Sequence, residues 1–343
     1  MKRILNTLYV TTQGAYLSKE GDVVLVQVDR ETKLRVPIIT LGSIVSFGNV
    51  MFSPFLLGMC GKNGVSVAFM SEYGRFLCRV QGPTSGNVLL RRRQFRMADD
   101  KEICASIARN VISAKVANCR KVVERAIRDK PDGDGTKSLK EASEKLERIL
   151  RKLTQPHELD TLRGIEGDAA RTYFSVFDHF ILAQKKHFRF KGRNRRPPLD
   201  KINALLSFLY TIITHDIRSA LEAVGLDPAV GFLHADRPGR PGLALDLMEE
   251  FRPFLGDRLA LSLINRKQIK GKEFKITESG AVEMNDDARK ELLVALQKRK
   301  QQEITHPFLN EKVPIGLLPH IQAMLMARYI RGDLDGYPSY FWK

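Results

Sequence analysis

The chain has 343 residues, 43% of them hydrophobic, enough for one large domain or two smaller ones with a real core. Its formal net charge of +17 favours a polyanionic partner, most commonly nucleic acid. No stretch approaches the roughly 18 apolar residues that span a bilayer, no basic amphipathic helix or lipid signal argues for a membrane surface, and Cys60, Cys78, Cys104 and Cys119 lack the CxxC spacing of zinc or redox motifs.

The N-terminal segment Met1–Thr7 turns polar at once, without the apolar core of a secretory signal, so a cytoplasmic protein with free buried thiols is expected. Residues 1–85 read as β-rich. Leu8–Val10, Val23–Val28 and Val65–Phe69 are β-branched or aromatic runs, punctuated by Gly14, Gly21, Gly42, Gly64 and Gly74, which predicts a small antiparallel sheet or sandwich. Gly82, Pro83 and Gly86 mark a boundary. Beyond it the apolar spacing becomes helical, with helices expected over 101–128, 137–153, 168–188, 201–224, 243–252, 286–303 and 316–330, and a Gly/Asp-rich loop over 130–135. The fold class is therefore α+β: a β domain over 1–85, then a larger all-α domain over 86–343.

Within the helical region, Arg163-Gly164-Ile165-Glu166-Gly167 places one carboxylate between two glycines. Taken alone, Glu166 reads as an ordinary acid of a first helical turn, favoured by the helix dipole. Val230–Leu233 is an apolar run ending in His234, and the next helix carries Asp246 and Glu249, three apart and so on one face. Asp246 sits among Leu243, Ala244, Leu245, Leu247 and Met248, where a carboxylate is costly unless it is paired or binds a metal. Glu250, about 100° round from Glu249, is expected to be solvated. One imidazole with two or three carboxylates suits Mg²⁺ or Mn²⁺, which would polarise a phosphoryl oxygen and orient the attacking one.

Residues 185–196 hold seven Lys or Arg and no acid: Lys185, Lys186, Arg189, Lys191, Arg193, Arg195 and Arg196. Interleaved Phe188 and Phe190 would stack on unpaired bases or simply pack, while the cations would contact phosphates. Arg91-Arg92-Arg93 with Arg96, and Lys298-Arg299-Lys300, are further basic clusters. Arg237 and Arg240 flank His234, which suits a phosphate substrate. Tyr210 lies in an apolar helix, where a core role is the default.

Four segments occur together and in order: Arg163-Gly-Ile-Glu-Gly167, Pro197-Pro-Leu-Asp-Lys-Ile-Asn-Ala-Leu-Leu-Ser-Phe-Leu-Tyr210, Gly231-Phe-Leu-His-Ala-Asp-Arg-Pro-Gly-Arg240 and Leu243-Ala-Leu-Asp-Leu-Met-Glu-Glu-Phe-Arg-Pro253. In combination they resemble the first CRISPR adaptation protein, an endonuclease/integrase, and its type I-C branch in particular. The resemblance implies homodimers formed through the β domain. It further implies two such dimers bridging a dimer of the small second adaptation protein, double-stranded prespacer and repeat DNA as substrates, and attack of a prespacer 3′-hydroxyl on a repeat-end phosphodiester. It implies Glu166, His234 and Glu249 as catalytic residues that ligate Mg²⁺ or Mn²⁺, with Asp246 supporting them or holding a second metal, and Tyr210 near the site. Two other readings stand beside it. One is a repair nuclease on branched DNA, in which water attacks. The other is a non-catalytic DNA-binding module, in which Glu166, His234 and Glu249 would lie far apart.

Overall fold

In the computed structural model, which describes residues 6–80, 82, 88–131, 133, 135–195 and 197–343, the chain divides into two units, 1–85 with 289–302 and 86–288 with 303–343. Pro83 and Gly86 of the expected boundary and Arg196 of the basic run lie outside the described residues, as do Met1–Leu5 and the two loop aspartates Asp132 and Asp134.

The first unit contains β1 (Asn6–Val10), β2 (Tyr16–Glu20), β3 (Val23–Val28), β4 (Glu31–Pro37), β5 (Leu41–Phe47), β6 (Met51–Phe52), α1 (Pro54–Lys62), β7 (Ser66–Met70) and β8 (Phe76–Val80). They form two four-stranded sheets, β4-β3-β2-β6 and β1-β5-β7-β8. The structure corrects the expectation of antiparallel sheets: β1 and β7 both pair with β5 in parallel, and β2 pairs β6 in parallel. Helix α1 is the reason for one of these pairings, because a parallel β5–β7 pair needs a crossover between its strands. Ser53 caps α1 by accepting the Leu56 amide, and Leu56 and Cys60 then bury against Ile44 and Val67.

The second unit begins with α2 (Val88–Asp99), α3 (Lys101–Asp129), α4 (Thr136–Lys152), α5 (Leu159–Ser175), α6 (Lys201–Ala223) and α7 (Gly242–Phe251). A π-helical turn over Arg252–Asp257 leads into α8 (Arg258–Asn265), then β9 (Phe274–Ile276) and β10 (Val282–Met284). Next in the chain comes α9 (Asp286–Gln301), whose residues from 289 on group with the first unit, and then, in the second unit, β11 (Glu303–Thr305), β12 (Lys312–Pro314) and α10 (Leu318–Arg331). The β9–β10 and β11–β12 ribbons make this unit mostly helical rather than all-α. Asp100 opens α3 by accepting the Glu102 and Ile103 amides, and Asp200 opens α6 by accepting that of Asn203. Along α3, Ile107, Val111, Ile112, Val116 and Val123 are buried, and along α6 so are Leu205, Leu206, Leu209 and Ile213.

Residues 289–302, most of α9, group with the first unit: buried Arg289 pairs with Glu72 at 3.6 Å and lies over the Tyr73 ring. The expected second domain, 86–343, loses that segment to the first.

The helix expected over 168–188 starts earlier and stops at Ser175, so Glu166 sits in the middle of α5 and not in its first turn. Beyond Ser175 the chain winds into an aromatic knot. Tyr173, Phe174, Phe177, Phe180 and Phe190 hold ring centroids 4.7 to 5.7 Å apart, and Phe188 meets Phe274 at 5.7 Å. Burying these rings on one side breaks the helical path. It also removes Phe188 and Phe190, 1% and 7% exposed, from any role in base stacking.

Candidate active site

The site is assembled at the start of α7. Gly231 and Gly242 let two backbone segments touch, since a Cβ on Gly231 would stand 2.6 Å from the Gly242 carbonyl carbon. That contact lays residues 232–234 across the helix face carrying Asp246. Asp246 Oδ2 accepts the amides of Phe232 (2.6 Å) and Leu233 (3.0 Å), and Oδ1 accepts the His234 amide (3.0 Å). Oδ1 also accepts the His234 Nδ1–H at 2.7 Å. Four N–H donors compensate the fully buried carboxylate, which is why it survives in an apolar run. With Nδ1 as donor, Nε2 carries the ring's lone pair, and it points towards Glu249 Oε1, 3.9 Å away.

Glu249 comes from the next turn of α7, Glu166 from the middle of α5, and a third helix adds a residue the motifs did not single out. Lys115 of α3, 6% exposed, bonds Glu166 Oε1 and lies 2.6 Å from Glu249 Oε2. Arg252 Nη1 pairs with Glu249 Oε1 at 3.0 Å. Burial alone would raise the Glu249 carboxyl, but the Arg252 guanidinium and the Lys115 ammonium outweigh it and hold the group at about 2. For Lys115, burial lowers the ammonium's pKa, while Glu249 and Glu166 raise it further and win. Glu249 Oε2 thus meets the Lys115 ammonium in a buried ion pair.

Glu166, His234 and Glu249 are thus gathered into one cluster, contrary to what a non-catalytic module predicts. Among the described residues no three His, Cys, Asp or Glu side chains close on a metal-sized point by themselves. The Lys115 ammonium stands between the two carboxylates.

Above the cluster opens a cleft of about 900 Å³, lined among others by Arg163, Lys191, Arg193, Arg195, Arg237 and Arg240. Lys185, Lys186 and Arg189 are exposed but do not line it. Arg193 is partly committed, to Asn203 Oδ1 at 2.6 Å and to Ser207, and both Arg193 and Arg252 lie over the Tyr210 ring, at 5.2 and 5.1 Å. The Tyr210 hydroxyl does not reach the cleft. It donates to Asp257 Oδ1, while Tyr173 donates to Oδ2 at 3.0 Å. Burial pushes Asp257 up to about 6 despite those two donors and the nearby arginines. The Arg91 cluster is partly structural, with Arg91 on the Gly225 carbonyl and Arg93 on that of Arg331.

Glu250 reverses its expectation of solvation. It is fully buried and accepts from Tyr337 (2.8 Å), Gln322 (2.9 Å) and the Tyr340 amide (2.7 Å). The C-terminal segment folds back over α7, a contact no local spacing reveals. Lys115 did leave a signal: it occupies the buried stripe of α3, four residues after Val111 and four before Cys119, where a lysine is out of place without a buried partner. Arg252 left one too, its three-residue spacing from Glu249, whereas Asp257 left none, because the π-helical turn that aims it breaks the α-helical period.

Among the described residues no helix is long and apolar enough to cross a membrane. Fold and site together define a class: a β unit joined to a mostly helical unit whose basic cleft ends in two carboxylates and an imidazole. Residues 8–298 match the family described as CRISPR associated protein Cas1. Over 343 residues, 100% of both chains, the sequence is 58% identical to "CRISPR-associated endonuclease Cas1 1" of Chlorobaculum tepidum. The chain belongs to the Cas1 family. In fold it is similar to a casposase solved bound to its integration product (TM-score 0.83, 21% identity, 99% of this chain and 95% of that one). It is also similar to a chain of a Cas6-RT-Cas1–Cas2 complex (TM-score 0.82, 22% identity, 99% of this chain and 36% of that one).

Proposed function

We propose that this protein is a metal-dependent DNA endonuclease and integrase that inserts prespacer DNA into a CRISPR array. The observation that carries the reading is the gathering of Glu166, Glu249 and His234 Nε2 on the floor of a cationic cleft. The donor set fits a hard divalent cation. Two carboxylates supply oxygen ligands, and the imidazole has its other nitrogen held by a buried carboxylate, as metal-binding histidines usually do. Glu166, His234 and Glu249 would hold Mg²⁺ or Mn²⁺. When bound, the ion would stabilise charge on the scissile phosphoryl oxygen and orient the attacking 3′-hydroxyl.

The rest is the chain's own work. Asp246, with all four of its hydrogen bonds turned inward, acts as the support of His234 rather than as a ligand for a second metal. Arg163, Arg195, Arg237 and Arg240 at the cleft contact the phosphate backbone of double-stranded DNA. Arg193 and Arg252 brace the Tyr210–Asp257 pair below. The casposase's integration product and the Cas2 named with the other neighbour support a joining reaction and a small second adaptation protein as partner. A homodimer of this chain is part of the same proposal and rests on the sequence resemblance alone.

The test is to incubate the protein, its small partner, a prespacer duplex and a repeat-bearing supercoiled plasmid with Mn²⁺ or Mg²⁺, beside Glu166→Ala, His234→Ala and Glu249→Ala. Joining of prespacer strands at repeat ends, abolished in each variant while DNA binding persists, is the expected result. Cutting of branched DNA without joining would transfer the site to a repair nuclease, and variants as active as wild type would dismiss the site.

A further inference from the structure

The most unusual group in the cluster is the cation already there. Lys115 is buried, reaches in from α3, and contacts both of the carboxylates that the proposed function gives to a metal. Lys115 pairs with both Glu166 and Glu249, and Arg252 pairs with Glu249, so the two carboxylates already have cationic partners supplied by the chain. A dication arriving on the same carboxylates would face the ammonium at contact distance inside the protein, where like charges repel far more strongly than in water.

We infer that Lys115 is a resident counter-ion that a divalent metal must displace, and that the displaced ammonium takes a DNA phosphate as its new partner. This rests on the metal reading of the proposed function. The second half comes from place: Lys115 lines the same cleft as Arg163, Arg237 and Arg240, so a phosphodiester bound there is the nearest fresh anion. Without DNA the lysine weakens metal binding. With DNA the penalty is relieved, so metal and substrate bind cooperatively, and the loaded site forms chiefly where there is DNA to act on.

The experiment is a Mn²⁺ titration read by electron paramagnetic resonance on the full chain, with and without a DNA duplex. It compares wild type, Lys115→Met and Lys115→Gln, with His234→Ala identifying which bound ion belongs to the site. Without DNA, both lysine variants should bind that ion at least about tenfold more tightly than wild type. DNA should tighten Mn²⁺ binding severalfold in wild type and little in the variants. Equal or weaker binding by both variants overturns the inference and leaves the metal site standing. Absence of any His234-dependent ion in wild type overturns the metal reading and this inference with it. If the variants unfold without metal, their refolding on adding Mn²⁺ supports the displacement. Failure to fold at any Mn²⁺ concentration shows that the ion cannot replace the lysine and overturns it.

Discussion

Asp246 and His234 share two hydrogen bonds, and the side-chain one, from Nδ1–H to Oδ1 at 2.7 Å, decides which imidazole nitrogen is left facing Glu249. Asp246→Asn keeps the size of the side chain but replaces one acceptor oxygen by an amino group aimed at existing N–H donors. Loss of charge-assisted bonds of this kind should cost about 3 kcal/mol of stability, measured by urea unfolding. Mn²⁺ affinity should fall by roughly 10- to 100-fold, the usual effect of removing the carboxylate behind a ligating histidine.

Gly231→Ala tests the same support from the backbone side. The added Cβ would meet the Gly242 carbonyl carbon at 2.6 Å, the Leu243 amide nitrogen at 2.8 Å and Asp246 Oδ2 at 2.8 Å. Backbone cannot swing aside as a flexible side chain can, so residues 231–234 must shift off α7. A thermal melt should show a loss of about 2 kcal/mol or more, and strand joining should drop although no ligand has been changed. Gly239→Ala, on the same connection at φ 74° with nothing within 4 Å, serves as the comparison: strained locally, but without an effect on His234.

How much of this was legible in the sequence depended on where each contact partner lay. Asp246 and Glu249 share a face because they are three apart on one helix, and the spacing said so. The α3 and α6 helices were readable for the same reason, their stripes being periodic and their starts capped by Asp100 and Asp200. Everything set by a distant partner was hidden. Glu250 needs Tyr337 and Tyr340 to be buried, and α9 needs Glu72 and Tyr73 to leave the helical unit. The parallel β5–β7 pair arises from a crossover helix that the turn-rich composition masked. The Phe-rich stretch after Ser175 keeps apolar residues at helical spacing, yet it folds as a knot because its rings bury against one another.

Phosphate contacts should be separable by salt. If Arg237 and Arg240 touch the DNA backbone, each change to alanine should reduce the slope of log affinity against log salt by about 0.9. Fluorescence anisotropy on a duplex across a salt series measures it. Lys185→Ala and Lys186→Ala, exposed but outside the cleft, should leave the slope for this site unchanged.

Asp257 gives a prediction in pH. Burial raises its folded pKa from an ordinary 3.8 to about 6, so the folded state holds a proton that the unfolded chain releases. The favourable contribution of the protonated carboxyl is complete below about 4 and is lost as pH rises through about 6, on the order of 3 kcal/mol across the window. Asp257→Asn cannot titrate. Its urea midpoint should fall less than that of wild type between pH 4 and 6, and a wild type with no steeper fall than the variant would contradict the assignment.

The C-terminal segment should matter to the site through Glu250. Tyr337 donates its hydroxyl to Glu250 Oε1 at 2.8 Å, and the Tyr340 amide donates to Oε2 at 2.7 Å. Asn118 of α3 bonds the carbonyls of both Glu250 and Tyr340, so the same tie joins α3, which carries Lys115, to α7, which carries Glu249. Tyr337→Phe removes one donor from a buried carboxylate and should cost about 1 to 3 kcal/mol, with activity near wild type at temperatures well below the melt. Truncation after Gly336 removes both donors and the chain that excludes water. It should lower stability further and weaken Mn²⁺ binding too, because the turn holding Glu249 then loses its backing. A truncated chain with unchanged melting temperature and Mn²⁺ affinity would show that α7 is held in place without the tail.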